Sequence, residues 1–407
     1  MLSQFTQKIT SCQPKFDFVK AHFQCEQNAY SRLNPNGYVN FGSAQNHLPR
    51  EDLNRKLQAA SLCSEDTKYQ PFSGKQDTKE IVAAFLSRMS EHTVSPTNVV
   101  LGNGVISLLE ALAFAILDED DSVLVPTPVF PALVTALTFR TKANVSFLNT
   151  QPDDFLVTTE MVRQAIEQHQ ARGKRLKAIL LCSPGNPVGQ VFTQSELREI
   201  ISLAEAANCA LIIDEIYAQS CFNGVDFQSA LAFDSDNVFV LGGLSKDFGL
   251  AGHAVAWLHG LHQQVMIAVN KQAHFYRLPA PVQTLTKSLL DGVWCSEFTR
   301  KNRSNLSTTF EVCRERFERM KVPVVPSWAG LCVWFDLRNY LSSPTFDGEL
   351  NLYQYMLEQH RVHISPGNGF HCTTPGFYRI CFTQTTDVLL EGLDRMENAL
   401  RSLIPVG

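Results

Sequence analysis

The feature that most constrains the fold is a set of short apolar runs that do not alternate. Ser122–Val125 (SVLV), Ala178–Leu181 (AILL), Ala210–Ile213 (ALII) and Val238–Leu241 (VFVL) are nearly solid hydrophobic blocks. A strand with one wet face alternates apolar and polar residues, so a solid block requires cover on both faces. Amphipathic stretches at helical spacing, Ile106–Leu117, Met161–Gln170 and Ser195–Ala207, interleave with these blocks. Strands and helices alternating in this way predict an α/β domain whose mostly parallel sheet is covered by helices on both faces.

Past residue 310 the texture changes. A charged helix leads into the strand-like runs Leu331–Leu337, Val362–Ile364 and Tyr378–Phe382, and an amphipathic helix covers Val388–Leu400. This pattern predicts a smaller α+β domain. The first sixty residues are irregular and are expected to pack on it as an arm. The division expected is an arm over 1–60, a large domain over 61–310 and a small C-terminal domain over 311–407. Domains of typical size divide 407 residues into about two or three units.

Composition removes several classes. Hydrophobic residues make up 44% and charged residues 18%, which excludes a mainly disordered chain. The net charge of −5 comes with no basic stripe, so no nucleic-acid partner is expected. Arg314, Arg316 and Arg319 alternate with Glu311, Glu315 and Glu318 and read as a solvated helix face. The eleven cysteines form no CxxC pair, and Cys182, Cys209, Cys332 and Cys381 sit in apolar runs as small hydrophobes. That usage fits a reducing compartment. No apolar stretch approaches the roughly 20 residues of a membrane span, and the N-terminus lacks a signal-like apolar core. A cytoplasmic protein without a membrane partner is expected. His259 with His262, and His360 with His363, lack a ligand set, so no metal is expected. Asp247-Phe248-Gly249 imitates a kinase motif without its companions, and no Gly-x-Ser-x-Gly elbow occurs.

Chemistry in open α/β sheets concentrates beyond the C-terminal strand ends. The strand ending at Leu181 runs into Cys182-Ser183-Pro184-Gly185-Asn186-Pro187, a fixed turn that presents Asn186. The next ends in Asp214-Glu215-Ile216-Tyr217, where an acid after three apolar residues calls for a cationic partner. Taken alone, that acid suits a metal, an ion pair or a cofactor equally. The third runs into Gly242-Gly243-Leu244-Ser245-Lys246, a lysine among tight turns. Upstream, Gly102-Asn103-Gly104-Val105-Ile106 opens a helix whose free N–H groups suit a phosphate. Together these are the groups that pyridoxal phosphate needs: an amine for its aldehyde, a carboxylate for its ring nitrogen, donors for its ring oxygen and a phosphate cradle.

On these residues the chain resembles the fold-type-I pyridoxal-phosphate enzymes of the class I/II aminotransferase superfamily. Within them it is most similar to 1-aminocyclopropane-1-carboxylate (ACC) synthase-like proteins. The matching blocks run in family order over residues 37 to 400: Asn40–Leu48, Val125–Pro131, Ser183–Gly189, Asp214–Ala218, Leu244–Leu250 and Tyr378–Phe382. The resemblance implies that Lys246 forms the Schiff base with the cofactor and then acts as general base. It places Asp214 on the pyridinium, Asn186 and Tyr217 on the ring oxygen, and Phe130 on the ring face. Val105, Ile106 and Ser245 would hold the phosphate, and Arg379 would clamp the substrate carboxylate. A homodimer with its sites at the interface is also implied, which gives the low charged share a cause.

Four positions depart from the ACC-synthase pattern. Gln45 stands where those enzymes carry a substrate-facing glutamate, and Phe72 where a tyrosine reaches the partner's site. Gly243 and Ala254 replace a serine and an arginine expected near the phosphate, a charge-assisted bond being worth roughly 1.5–3 kcal/mol. Val105, Ile106, Ser245 and His253 would then carry that load. Three readings remain open: an aminotransferase, an ACC-synthase-type lyase acting on S-adenosylmethionine, and a catalytically weak relative with a binding role.

Overall fold

The computed structural model describes Leu2, Gln7, residues 18–173 and residues 175–403. Cys12 lies outside the described residues. The helix Phe18–Gln27 leads into strand β1 (Val39–Asn40), and two helices, Arg50–Ala59 and Gln76–Ser90, precede the main sheet. That sheet contains β2 (Val99–Asn103), β3 (Ser122–Thr127), β4 (Asn144–Asn149), β5 (Leu176–Cys182), β6 (Ala210–Asp214), β7 (Val238–Gly243) and β8 (Val255–Gly260). Its order is β2-β8-β7-β6-β5-β3-β4. The run from β4 to β7 is parallel, and β8 is antiparallel to both β7 and β2.

Each solid apolar block of the sequence is a strand of this sheet, and burial on both faces explains the composition. Along β7, Val238 and Val240 enter one core while Phe239 and Leu241 enter another. Along β6, Leu211 and Ile213 join the first core and Ile212 the second. The interleaved helices are present as Val105–Ile116, Thr159–Ala171 and Gln194–Ala206.

Three strands escape the pattern. β4 is a half-wet edge without a solid apolar block. β2 itself runs through Gly102 and Asn103 up to Gly104, where the glycines mask its strand character. β8 follows β7 through the segment 244–254, which holds only a short 3-10 turn at Ala251–His253 and no long crossover helix to announce it.

Strands β9 (Cys332–Asp336), β10 (Val362–His363), β11 (Ser365–Pro366) and β12 (Phe377–Cys381) lie beyond. β11-β12-β9 form an antiparallel sheet, and β10 pairs in parallel with β1. A third core gathers Ala21, Cys25, Val39 and Phe41 with Phe335, Tyr378 and Leu393. The helix Gly292–Arg319 has 28 residues and bridges two cores, with Cys295 and Phe298 in the first and Leu306, Phe310 and Phe317 in the third.

Its charged face is only partly solvated. Arg314 pairs with Glu311 and Glu318, but Arg316 and Arg319 reach across to Asp394 and Glu397 on the last helix, Thr386–Leu403. The described cysteines are all unbridged, and most are buried. Among the described residues no helix is long and apolar enough to cross a membrane, and no cluster of His, Cys, Asp and Glu could hold a metal.

Candidate active site

The strand register brings the polar strand ends together. Cys182 lies opposite Asp214 across β5 and β6, and Asp214 opposite Leu241 across β6 and β7. Asn186, Asp214, Tyr217, Ser245 and Lys246 therefore face one cleft of about 760 Å³. Val105, Ile106 and Phe130 border it from two helix starts, and Arg379 of β12 closes it from the opposite side. Eight of the proposed site residues thus share one cavity with the proposed carboxylate clamp.

Asp214 is only 4% exposed. Its Oδ1 accepts from the Ile216 N–H at 3.1 Å, yet no cationic side chain forms an ion pair with it among the described residues. Burial raises its pKa to about 7, and the field of Lys246 only partly opposes that rise. Lys246 is held by the Ala44 carbonyl, to which Nζ donates at 2.7 Å. Burial lowers its pKa, which favours the neutral amine. Asn186 Nδ2 donates to the Tyr217 hydroxyl at 3.2 Å, fixing both groups against the floor.

Arg379 is 3% exposed and interior to β12. Its Nη1 donates to Asn186 Oδ1 at 3.1 Å, and Nη2 donates to the Gly42 carbonyl and, at 3.3 Å, to Ser365 Oγ. The guanidinium lies 4.6 Å from the Phe370 ring centroid. Its Nε has no partner, and no carboxylate pairs with it among the described residues. A buried guanidinium without an anion is costly.

Gly104 caps the helix Val105–Ile116 at φ 99°, without a side-chain cap. The first amides of that helix have no intrahelical acceptor and open onto the cleft. A Cβ on Gly104 would lie 4.0 Å from the Ala254 Cβ, so position 254 stands against this helix start. Ala254 itself is left-handed at φ 50°. Gly243 has no room for a side chain, because a Cβ there would meet the Val255 carbonyl oxygen at 2.4 Å. His253 is half-buried and lies off the cleft lining.

Gln45 and Phe72 also lie off the lining. Gln45 is half-buried, its carbonyl accepting from Thr383 Oγ1 at 2.7 Å. Phe72 packs in a separate groove, 4.0 Å from the His274 ring and 5.7 Å from the Arg277 guanidinium. His363, Ser365, Phe370 and the helix Phe18–Gln27 also stand on the cleft wall, where no sequence motif points to them. None lies in a strand-end motif, so only the tertiary arrangement reveals them.

Among the described residues, Asp214 without a cationic partner, the amine of Lys246, the helix-start amides at Val105 and Ile106 and Arg379 without an anionic partner are groups that could hold pyridoxal phosphate and an α-amino acid. The family described as Aminotransferase class I and II matches residues 36–396. The probable aminotransferase ACS12 of Arabidopsis thaliana is 30% identical, over 92% of this chain and 81% of its own length. A 1-aminocyclopropane-1-carboxylate synthase of Glycine max is 28% identical, over 95% of this chain and 84% of its own. A solved structure of a Pyrococcus protein, A1, superposes with a TM-score of 0.81 at 18% identity, covering 98% of this chain and all of that one. The chain belongs to the class I and II aminotransferases, a family of pyridoxal-phosphate-dependent enzymes with fold type I.

Proposed function

We propose that this protein is an aminotransferase that acts on an α-amino acid, with pyridoxal 5'-phosphate bound in the cleft and Lys246 as its reactive amine. The observation that carries the reading is a pair of unmatched buried charges on one cavity. Among the described residues, Asp214 pairs with no cationic side chain and Arg379 with no anionic one. A protonated pyridine nitrogen completes the first, and an α-carboxylate the second.

When bound, the cofactor supplies an electron sink for the pair released at the substrate α-carbon. Asp214 keeps the ring nitrogen protonated, which strengthens that sink. Asn186 and Tyr217 would hold the ring oxygen, and Phe130 at the cleft edge would cover the ring. The amides of Val105 and Ile106 and the Ser245 hydroxyl bind the phosphate. Arg379 orients the substrate so that its α-hydrogen faces Lys246. Lys246 would anchor the cofactor through its amine and would hold and move the proton at the substrate α-carbon. Its lowered pKa suits both roles, because the neutral amine is the nucleophile and the base.

The domain division proposed is an arm over 1–60, a cofactor domain over 61–310 and a small domain over 311–407. We also propose a homodimer, with Phe72 serving the partner's site in place of the tyrosine of ACC synthases. The position of Phe72 outside its own chain's cleft supports this.

A lyase acting on S-adenosylmethionine is the second reading, favoured by the identity with ACC synthases over most of the chain. Gln45 speaks against it, since that position offers no charge to a sulfonium. The test is to incubate the cofactor-loaded protein with amino acids, with and without a keto acid, and with S-adenosylmethionine. Transamination consumes amino acid and keto acid one for one. Release of methylthioadenosine without a keto acid overturns the aminotransferase reading in favour of the lyase.

A further inference from the structure

The helix Phe18–Gln27 places Phe18, Val19, His22 and Phe23 on the wall of the cleft that holds Arg379. These positions fall on one side of a helix, being spaced by one and four residues. Phe18 is anchored, its ring 5.4 Å from that of Tyr353. Val19 and Phe23 are 66% and 58% exposed, although they face a cavity that also contains Phe370. Large apolar side chains held open on a binding cleft are a surface awaiting an apolar group.

The charge inventory narrows what that group is. Among the described residues lining the cleft, the charged side chains are Asp214, Lys246 and Arg379, joined by His22 and His363. The first three are committed to the reacting groups. His22 Nδ1 is hydrogen-bonded to the Asn40 amide at 2.8 Å, and His363 Nδ1 to the Tyr353 hydroxyl at 2.8 Å. Burial holds His363 neutral. No second guanidinium or ammonium remains for a distal carboxylate, and no second carboxylate for a distal cation.

We propose that the cleft takes α-amino acids with aromatic or large apolar side chains, and that Phe18, Val19 and Phe23 set this preference. The inference rests on the proposed role of Arg379 as the carboxylate clamp. A substrate with its carboxylate on Arg379 and its amine at Lys246 sends its side chain along the wall formed by Phe370 and the helix. An acidic side chain there is desolvated without a partner, whereas a phenyl ring is buried against apolar surface.

The test measures equilibrium binding by calorimetry on the full chain, with and without pyridoxal phosphate. The probes are 3-phenylpropionate, propionate and succinate, which lack an amine and so cannot react. Phenylpropionate is expected to bind at least tenfold more tightly than either of the others, a difference of about 1.4 kcal/mol. Phe23→Asp and Val19→Asp alter exposed side chains and are expected to fold. Each should weaken phenylpropionate at least fivefold and leave propionate within twofold. Equal binding of the three probes, a preference for succinate, or binding of none of them overturns the proposal. So does an aromatic preference that survives both substitutions. Cofactor uptake is read separately by its visible absorbance. A protein that takes up cofactor and converts amino acids but shows no aromatic preference sinks this inference alone. Absence of uptake sinks the aminotransferase reading instead.

Discussion

Asn186 accepts a hydrogen bond from Arg379 at 3.1 Å while its amide donates to Tyr217 at 3.2 Å, so one side chain ties the proposed carboxylate clamp to the cofactor floor. The turn from Ser183 to Pro187 fixes Asn186 at the tip of β5. Clamp and floor are therefore set by one backbone segment.

This linkage predicts the effect of Asn186→Asp. A carboxylate at 186 supplies the anion that Arg379 lacks and competes with the substrate for it. The Michaelis constant for the amino acid should rise at least tenfold, whereas Asn186→Ala should weaken cofactor and substrate together. Steady-state kinetics with a cofactor titration separates the two patterns.

Arg379→Lys tests the clamp directly. A lysine keeps the charge but loses the planar fork that binds both carboxylate oxygens. An increase of about 100-fold in KM is expected, with cofactor absorbance unchanged. Wild-type kinetics in this variant would remove Arg379 from the substrate site.

Position 254 offers a gain of function. Ala254 stands against the amides of the helix start at Val105, so Ala254→Arg brings a guanidinium to the proposed phosphate site. A charge-assisted bond of roughly 1.5–3 kcal/mol predicts a tenfold to hundredfold tighter cofactor dissociation constant. Gly243→Ser should go the other way. Its Cβ meets the Val255 carbonyl oxygen at 2.4 Å, so thermal unfolding should come several degrees earlier.

Asp214 predicts a pH signature of the cofactor-free protein. Its folded-state pKa is raised to about 7 by burial, above the ordinary value of 3.8. Between those values the folded state keeps a proton that the unfolded state has lost. Stability from this group is thus present below about pH 4 and is lost as pH rises through about 7. Asp214→Asn mimics the protonated form. It should match the wild-type melting temperature at pH 4, exceed it by several degrees at pH 8, and bind pyridoxal phosphate at least tenfold more weakly. The opposite order of melting temperatures would mean that a cation within the protein already satisfies Asp214.

Much of the fold was legible because burial on both sheet faces leaves a direct mark, as in Val238–Leu241, whose residues alternate between two cores. β8 was not legible, since an antiparallel strand entered without a crossover helix breaks the strand-helix rhythm. Lys246, Asp214 and Asn186 stand out as candidates because polar residues at apolar strand ends have few structural reasons to be there, and the structure brings them to one cleft. The cleft wall from Phe18 to Phe23 could not, because nothing in a short N-terminal helix says which distant surface it covers. That no anion surrounds Arg379 among the described residues was equally hidden, being a property of every neighbour at once.

The central claim is that Lys246 is the amine that holds pyridoxal phosphate in this cleft. Borohydride reduction of the cofactor-loaded protein, followed by peptide mass mapping, tests it most directly. The account predicts one reduced cofactor per chain, attached to Lys246, and no visible absorbance or attachment in Lys246→Ala. Attachment at another lysine, or a colourless protein that takes up no added cofactor, would contradict it.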